Sequence, residues 1–109
     1  MAIAYKVLGQ SNPTIYTMTQ LYVVPTGANT IVSTLAICNQ AATATTVNVA
    51  VIPGGGTLTS QNYIMANTAL AANDTITLTM GMTMGASDVL SVSTGSSTVS
   101  FTAFGSEIR

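Results

Sequence analysis

The apolar positions of this chain recur at every second residue. In Val47-Asn48-Val49-Ala50-Val51 the valines share one face, and in Asp74-Thr75-Ile76-Thr77-Leu78-Thr79-Met80 apolar residues alternate strictly with threonines. The same parity runs on through Met82 and Met84, and Val99-Ser100-Phe101-Thr102-Ala103 repeats it. A period of two describes half-buried strands, one face on a core and the other outside. β-branched Thr suits the exposed face of such strands. No window carries an apolar stripe at helical spacing, so at most a short turn of helix is expected.

Strands are predicted over residues 3–8, 20–25, 30–38, 45–53, 62–66, 74–80, 88–94 and 98–105. Turn residues fill the gaps: Gly9 to Pro13, Pro25 to Gly27, Asn39 to Thr43, Pro53 to Gly56, Gly81 and Gly85, and Gly95 to Ser97. Seven or eight short strands in 109 residues predict a single all-β domain over 1–109. The expected architecture is an antiparallel β-sandwich, Ig-like or jelly-roll-like, with residues 1–13 as an N-terminal arm or edge strand. Shared parity within each strand selects the core: Leu21, Val23, Leu35, Ile37, Val47, Val49, Val51, Ile76, Leu78, Leu90, Val92, Val99 and Phe101.

A short echo precedes three of these strands: Ala28-Asn29-Thr30-Ile31, Ala72-Asn73-Asp74-Thr75-Ile76 and Ala86-Ser87-Asp88-Val89-Leu90. Asn and Asp close turns by bonding nearby backbone, so Asp74 and Asp88 read as turn formers. A calcium site needs six to eight oxygens, and neither Asp has an acidic neighbour.

Composition sharpens this picture. Charged residues make up 5% of the chain, while 48% is apolar; nineteen Thr and ten Ser occupy much of the remainder. There is no His and no Trp, and the net charge is −1. The ionisable set is Lys6, Asp74, Asp88, Glu107 and Arg109 with Cys38 and four Tyr. Lacking His, the chain lacks the commonest general base and metal ligand. Two cations cannot neutralise a run of phosphates, so neither nucleic acid nor an anionic membrane is an expected partner. Cys38, alone and within an apolar strand, reads as a small buried hydrophobe. No basic-then-apolar leader is visible, which predicts a protein made in the cytoplasm. Mean hydropathy is +0.52. A surface with so little charge suits a molecule covered by partners.

Candidate chemistry is thin. Pro53-Gly54-Gly55-Gly56-Thr57 lacks the Lys and the following helix of a phosphate loop. No Ser sits in a nucleophile elbow or has a candidate base. Asn73-Asp74-Thr75 is a formal glycosylation sequon, which is expected to carry no meaning where no signal peptide is visible. Lys6, the single lysine, admits a Lys–Asn cross-link as one reading and an exposed or paired strand lysine as the other. Pairing of the first and last strands would bring Lys6 to Glu107 as an exposed ion pair. Met65, Met80, Met82 and Met84 read as core and turn filling or as an adaptable contact surface. Met82 and Met84 lie between Gly81 and Gly85, where a strand end would expose them. No catalytic residue, cofactor or metal ligand is expected.

Several segments together resemble a family. They are Tyr5-Lys6-Val7-Leu8-Gly9-Gln10-Ser11-Asn12-Pro13, Leu21 through Gly27, Val32 through Asn39, Ala42 through Thr46, and Phe104-Gly105-Ser106-Glu107. The chain is similar to small virion structural proteins of tailed bacteriophages, especially phages of cyanobacteria and other aquatic bacteria. That resemblance implies a non-enzymatic capsid decoration or cement protein. Such a protein would be a homotrimer bound to the major capsid protein or another virion protein, localised to the virion and released by lysis. A tail, neck or fibre-adaptor component is the second implication. A small adhesin or carbohydrate-binding module is the alternative from another class, and it would need exposed aromatic platforms. The expected assembly contacts are Tyr5, Lys6, Gln10 and Asn12 in the segment from Ala2 to Pro13, the Met82–Met84 turn, and Glu107 and Arg109 at the far end.

Overall fold

The computed structural model describes residues 3–109, with Met80 described by its backbone alone. Ala2, at the start of the expected contact segment, and the Met80 side chain lie outside the described residues. Eight strands follow one another: β1 (Ile3–Ser11), β2 (Thr19–Val23), β3 (Asn29–Asn39), β4 (Thr45–Ile52), β5 (Tyr63–Leu70), β6 (Thr75–Met84), β7 (Val89–Thr94) and β8 (Val99–Ile108). Two single 3₁₀ turns, Pro53–Gly55 and Ser60–Asn62, are the helical elements among the described residues. The strands form a front sheet in the order β1-β8-β3-β6 and a back sheet in the order β2-β7-β4-β5.

That order has a simple origin. β4 pairs with β5, β3 with β6, β2 with β7 and β1 with β8, all antiparallel. The chain is therefore one long folded ribbon whose successive rungs alternate between the two sheets. Rolling the ribbon adds the β3–β8 and β4–β7 pairings. Eight antiparallel strands so connected make a jelly-roll sandwich, which resolves the two expected architectures.

The parity rule places the core between the sheets. Leu35 and Ile37 of β3, Val47 and Val49 of β4, Leu90 and Val92 of β7, and Val99 and Phe101 of β8 are fully buried. Leu21 is buried too, while Val51, Ile76 and Leu78 pack against the core from its rim. Thr75, Thr77 and Thr79 stand exposed on the opposite face of β6.

Val23 departs from the expected core and is 41% exposed. The register between β2 and β7 shifts between Gln20 and Tyr22, so Leu21 is an extra residue in β2. Such a bulge reverses the alternation. Leu21, Tyr22 and Val24 turn inward and Val23 turns out. Cys38 also departs, being half-buried. It follows Ile37 in β3, so period two sends its side chain to the outer face of the front sheet.

β6 does not end at Gly81. It continues to Met84, with Gly81 lying in the strand. Met84 is 1% exposed, and Met82 packs against the core. Met84 is therefore interior filling and not the exposed strand-end residue expected, while Met82 is half-buried against the core.

Candidate assembly surface

The outer face of the front sheet is built by three register rows. Tyr5 of β1 pairs with Ser106 of β8, and Ser106 with Ile31 of β3. One rung further, Val7 pairs with Phe104. At the chain ends Ile3 pairs with Ile108. Ile3, Tyr5, Val7, Ile31 and Phe104 are all exposed, Tyr5 by 82%. Tyr5, Ile31 and Phe104 border a shallow depression of about 340 Å³, completed by Lys6, Ser33, Gly105 and Ser106. Apolar side chains are normal singly on a surface, but a contiguous set of this kind marks a contact site.

The other end of the same face is polar. Gln10, Ser11, Asn12, Ser100, Phe101 and Thr102 line a groove of about 350 Å³. Asn12 is exposed, yet its amide donates to the carbonyls of Ser97 at 2.9 Å and Val99 at 2.6 Å. Its first role is thus to fasten the end of β1 to the start of β8. Gln10 lies beside it, exposed.

Lys6, Glu107 and Arg109 come together on the opposite, inward side of β1 and β8. Glu107 is 5% exposed, so the ion pair with Lys6 is not the surface contact expected. Lys6 Nζ lies 2.8 Å from Glu107 Oε1, and the Arg109 guanidinium lies 3.8 Å from the same oxygen. The second oxygen, Oε2, accepts from the Tyr22 hydroxyl at 2.5 Å, and Tyr22 Oη lies 2.7 Å from Thr30 Oγ1. With the phenol proton aimed at the carboxylate, the Thr30 hydroxyl is left to donate to Tyr22. This polar knot joins β1, β2, β3 and β8 across the two sheets.

Its electrostatics follow from geometry. The hydrogen bond from Lys6, then that from Tyr22, holds the Glu107 carboxyl below its ordinary 4.5, with burial opposing. Burial, reinforced by the contact with Glu107, pushes the Tyr22 phenol up to about 12. Both carboxylate oxygens are engaged, so the knot acts as a structural tie. Lys6 is half-exposed and ion-paired, unlike the buried lysine that a Lys–Asn cross-link would need.

The two aspartates form turns. Asp88 accepts from the backbone amides of Gly54 at 2.8 Å and Gly85 at 2.9 Å, and Asp74 from that of Thr75 at 2.9 Å. Among the described residues no group of three His, Cys, Asp or Glu side chains could hold a metal ion.

The structure therefore keeps Tyr5 and Gln10 on the outer face. It ties Asn12 and Lys6 into the fold, buries Met84 and Glu107, and half-buries Met82. Ile3, Val7, Ile31 and Phe104 join the surface without having been expected there. For Phe104 the signal is present in the sequence, because inward Phe101 and Ala103 send it outward. Tyr22 and Thr30 complete the knot, and no local pattern pairs them with Glu107. No protein-family model matches the chain, and neither a curated protein nor a solved structure matches it.

Proposed function

We propose that the chain is a non-enzymatic structural component of a phage virion. In this reading it is a capsid decoration (cement) protein that sits on the outside of the shell, links neighbouring capsomers and associates with itself. The observation that carries the reading is the apolar patch of Ile3, Tyr5, Val7, Ile31 and Phe104 on a chain with five charged residues. Such a face works by contact area, and many weak copies on one particle add up through multivalency. The jelly-roll sandwich supports the reading only generally, because that architecture serves viral capsid and lectin domains alike.

The test is binding of the purified protein to capsids that lack it, followed by counting copies per particle. Occupancy matching the shell's own subunits is the expected result. Occupancy matching the tail or neck moves the protein there, and failure to bind any virion part overturns the proposal.

A second reading has its own observation. Tyr5 is 82% and Tyr16 81% exposed, so two aromatic platforms exist where a sugar ring could stack. Saturable binding of a neutral glycan, lost on Tyr16→Ala, would favour the carbohydrate-binding module.

A further inference from the structure

β1 is an edge strand, and its two halves differ. Around Gly9 it abuts the back sheet so closely that a Cβ there would overlap the Leu21 carbonyl oxygen. The roll is closed at that point. From Ile3 to Val7, five consecutive residues are exposed. Among the described residues this open half pairs with β8 alone, and no strand pairs along its other backbone edge.

Natural sheets blunt such edges with lysine, proline, bulges or inward charge. Here the bulge lies beyond the open half, between Val7 and Gly9. No proline interrupts residues 3–7. The single lysine, Lys6, is drawn toward Glu107 at 2.8 Å, where its charge is met within the chain. The opposite edge of the sheet, β6, differs: among the described side chains its outward residues are threonines, with Gly81 between them.

We propose that the open edge of β1, Ile3–Val7, pairs antiparallel with the same segment of a second copy about a two-fold axis centred on Tyr5. In that register Tyr5 faces the partner's Tyr5, Ile3 faces Val7, and Ala4 faces Lys6. No like charges meet. Centring the axis one residue later would set Lys6 against Lys6, which like-charge repulsion disfavours. A two-fold normal to the sheet keeps each outer face on the same side. The two front sheets thereby become one eight-stranded sheet, and the two apolar patches become a single surface. The contact is isologous, the commonest closed symmetry of homo-oligomers.

Its size sets its strength. Tyr5 brings on the order of 150 Å². With Ile3, Val7 and the strand backbone the contact reaches roughly 400 Å² per chain, about half of a standard interface. Dimerisation is therefore weak in dilute solution and strengthened wherever copies are concentrated on a larger body. A two-fold contact takes the place of the three-fold one that the family resemblance implies. It requires no shell, so it stands or falls separately from the virion reading.

The test is sedimentation equilibrium of the purified full chain up to high micromolar concentration, comparing Tyr5→Lys with Tyr16→Lys. Both tyrosines are about equally exposed and both variants add one positive charge, so both are expected to keep the parent's fold, which circular dichroism checks. Reversible dimerisation of the parent and of Y16K, with at least tenfold weakening in Y5K, is expected. A strict monomer, a trimer, or equal weakening by both variants overturns the proposal. Cysteine cross-linking in a Cys38→Ser background fixes the register. Y5C should link to itself under mild oxidation, and I3C should link to V7C but not to itself. Self-linking of I3C as efficient as that of Y5C overturns the two-fold register.

Discussion

β1 and β6 flank the same sheet, and both alternate apolar with polar side chains. Along β6 the apolar residues Ile76, Leu78, Met82 and Met84 turn toward the back sheet, and the threonines face water. Along the first half of β1 the order is reversed: Ile3, Tyr5 and Val7 face out, and Lys6 turns toward buried Glu107. The cause lies beneath each strand. β6 covers the apolar core, whereas the first half of β1 covers none of it: Ala4 and Lys6 on its inward side are exposed too, and Lys6 meets the polar knot of Glu107, Tyr22 and Thr30. An alternating pattern specifies two faces, and the layer underneath decides whether one of them is buried.

The largest expected effect comes from removing the backbone fit between β8, the strand that carries β1, and β3. A Cβ on Gly105 of β8 would overlap the Ile31 carbonyl oxygen, where β3 bulges between Val32 and Thr34. Gly105→Ala should cost about 3 kcal/mol or more in urea denaturation, because backbone rather than a flexible side chain must move. A cost below about 1 kcal/mol would show that the bulge yields easily.

Next comes Met84→Ala in β6, expected to cost about 2–4 kcal/mol as a buried large-to-small change. A neutral result would return Met84 to the surface and erase the contrast between the edges.

Glu107→Gln probes the polar side of β1. Losing the charged acceptor should cost about 1–3 kcal/mol, and Lys6→Met less, since half of the lysine side chain is in water. The pH dependence gives the sharper signature. The folded-state pKa of Glu107 lies below 4.5, so its contribution is full above that value and is lost as pH falls through the lowered one. Tyr22 has the opposite sign: with its pKa raised from 10.0 to about 12, its contribution holds below pH 10.0 and fades as pH rises toward about 12. Thermal melts across pH should show both limbs. E107Q should flatten the acid limb, and Tyr22→Phe the alkaline one.

The smallest effect is expected on the outer face. Val7→Ser should change monomer stability by within about 0.5 kcal/mol, whereas Leu78→Ser on β6 should cost clearly more. Chemical denaturation of the pair compares the edges directly. Equal losses would mean that the Val7 side chain is covered within the monomer.

The sequence alone determined that this chain is all β, where each strand starts to within a residue or so but not where β1, β5, β6 and β8 end, and much of the core. The reason is local: period two, Thr on the outward positions and Gly, Pro, Asn or Asp between strands are features of neighbouring residues. The parity of Val47, Val49, Ile76 and Leu78 needs no partner strand to be read. Only the tertiary structure decided what bulges and long-range pairing control. An extra residue at Leu21 reverses Val23 and Tyr22, and continuation of β6 past Gly81 takes Met82 and Met84 inside. The roll of the ribbon brings Lys6, Tyr22, Thr30 and Glu107 to one point. Tyr22 and Glu107 are 85 residues apart, and nothing local to either names the other. The exposed face of Ile3, Tyr5, Val7, Ile31 and Phe104 comes from three strands distant in sequence. It exists because β8 lies between β1 and β3, an order that no single strand encodes.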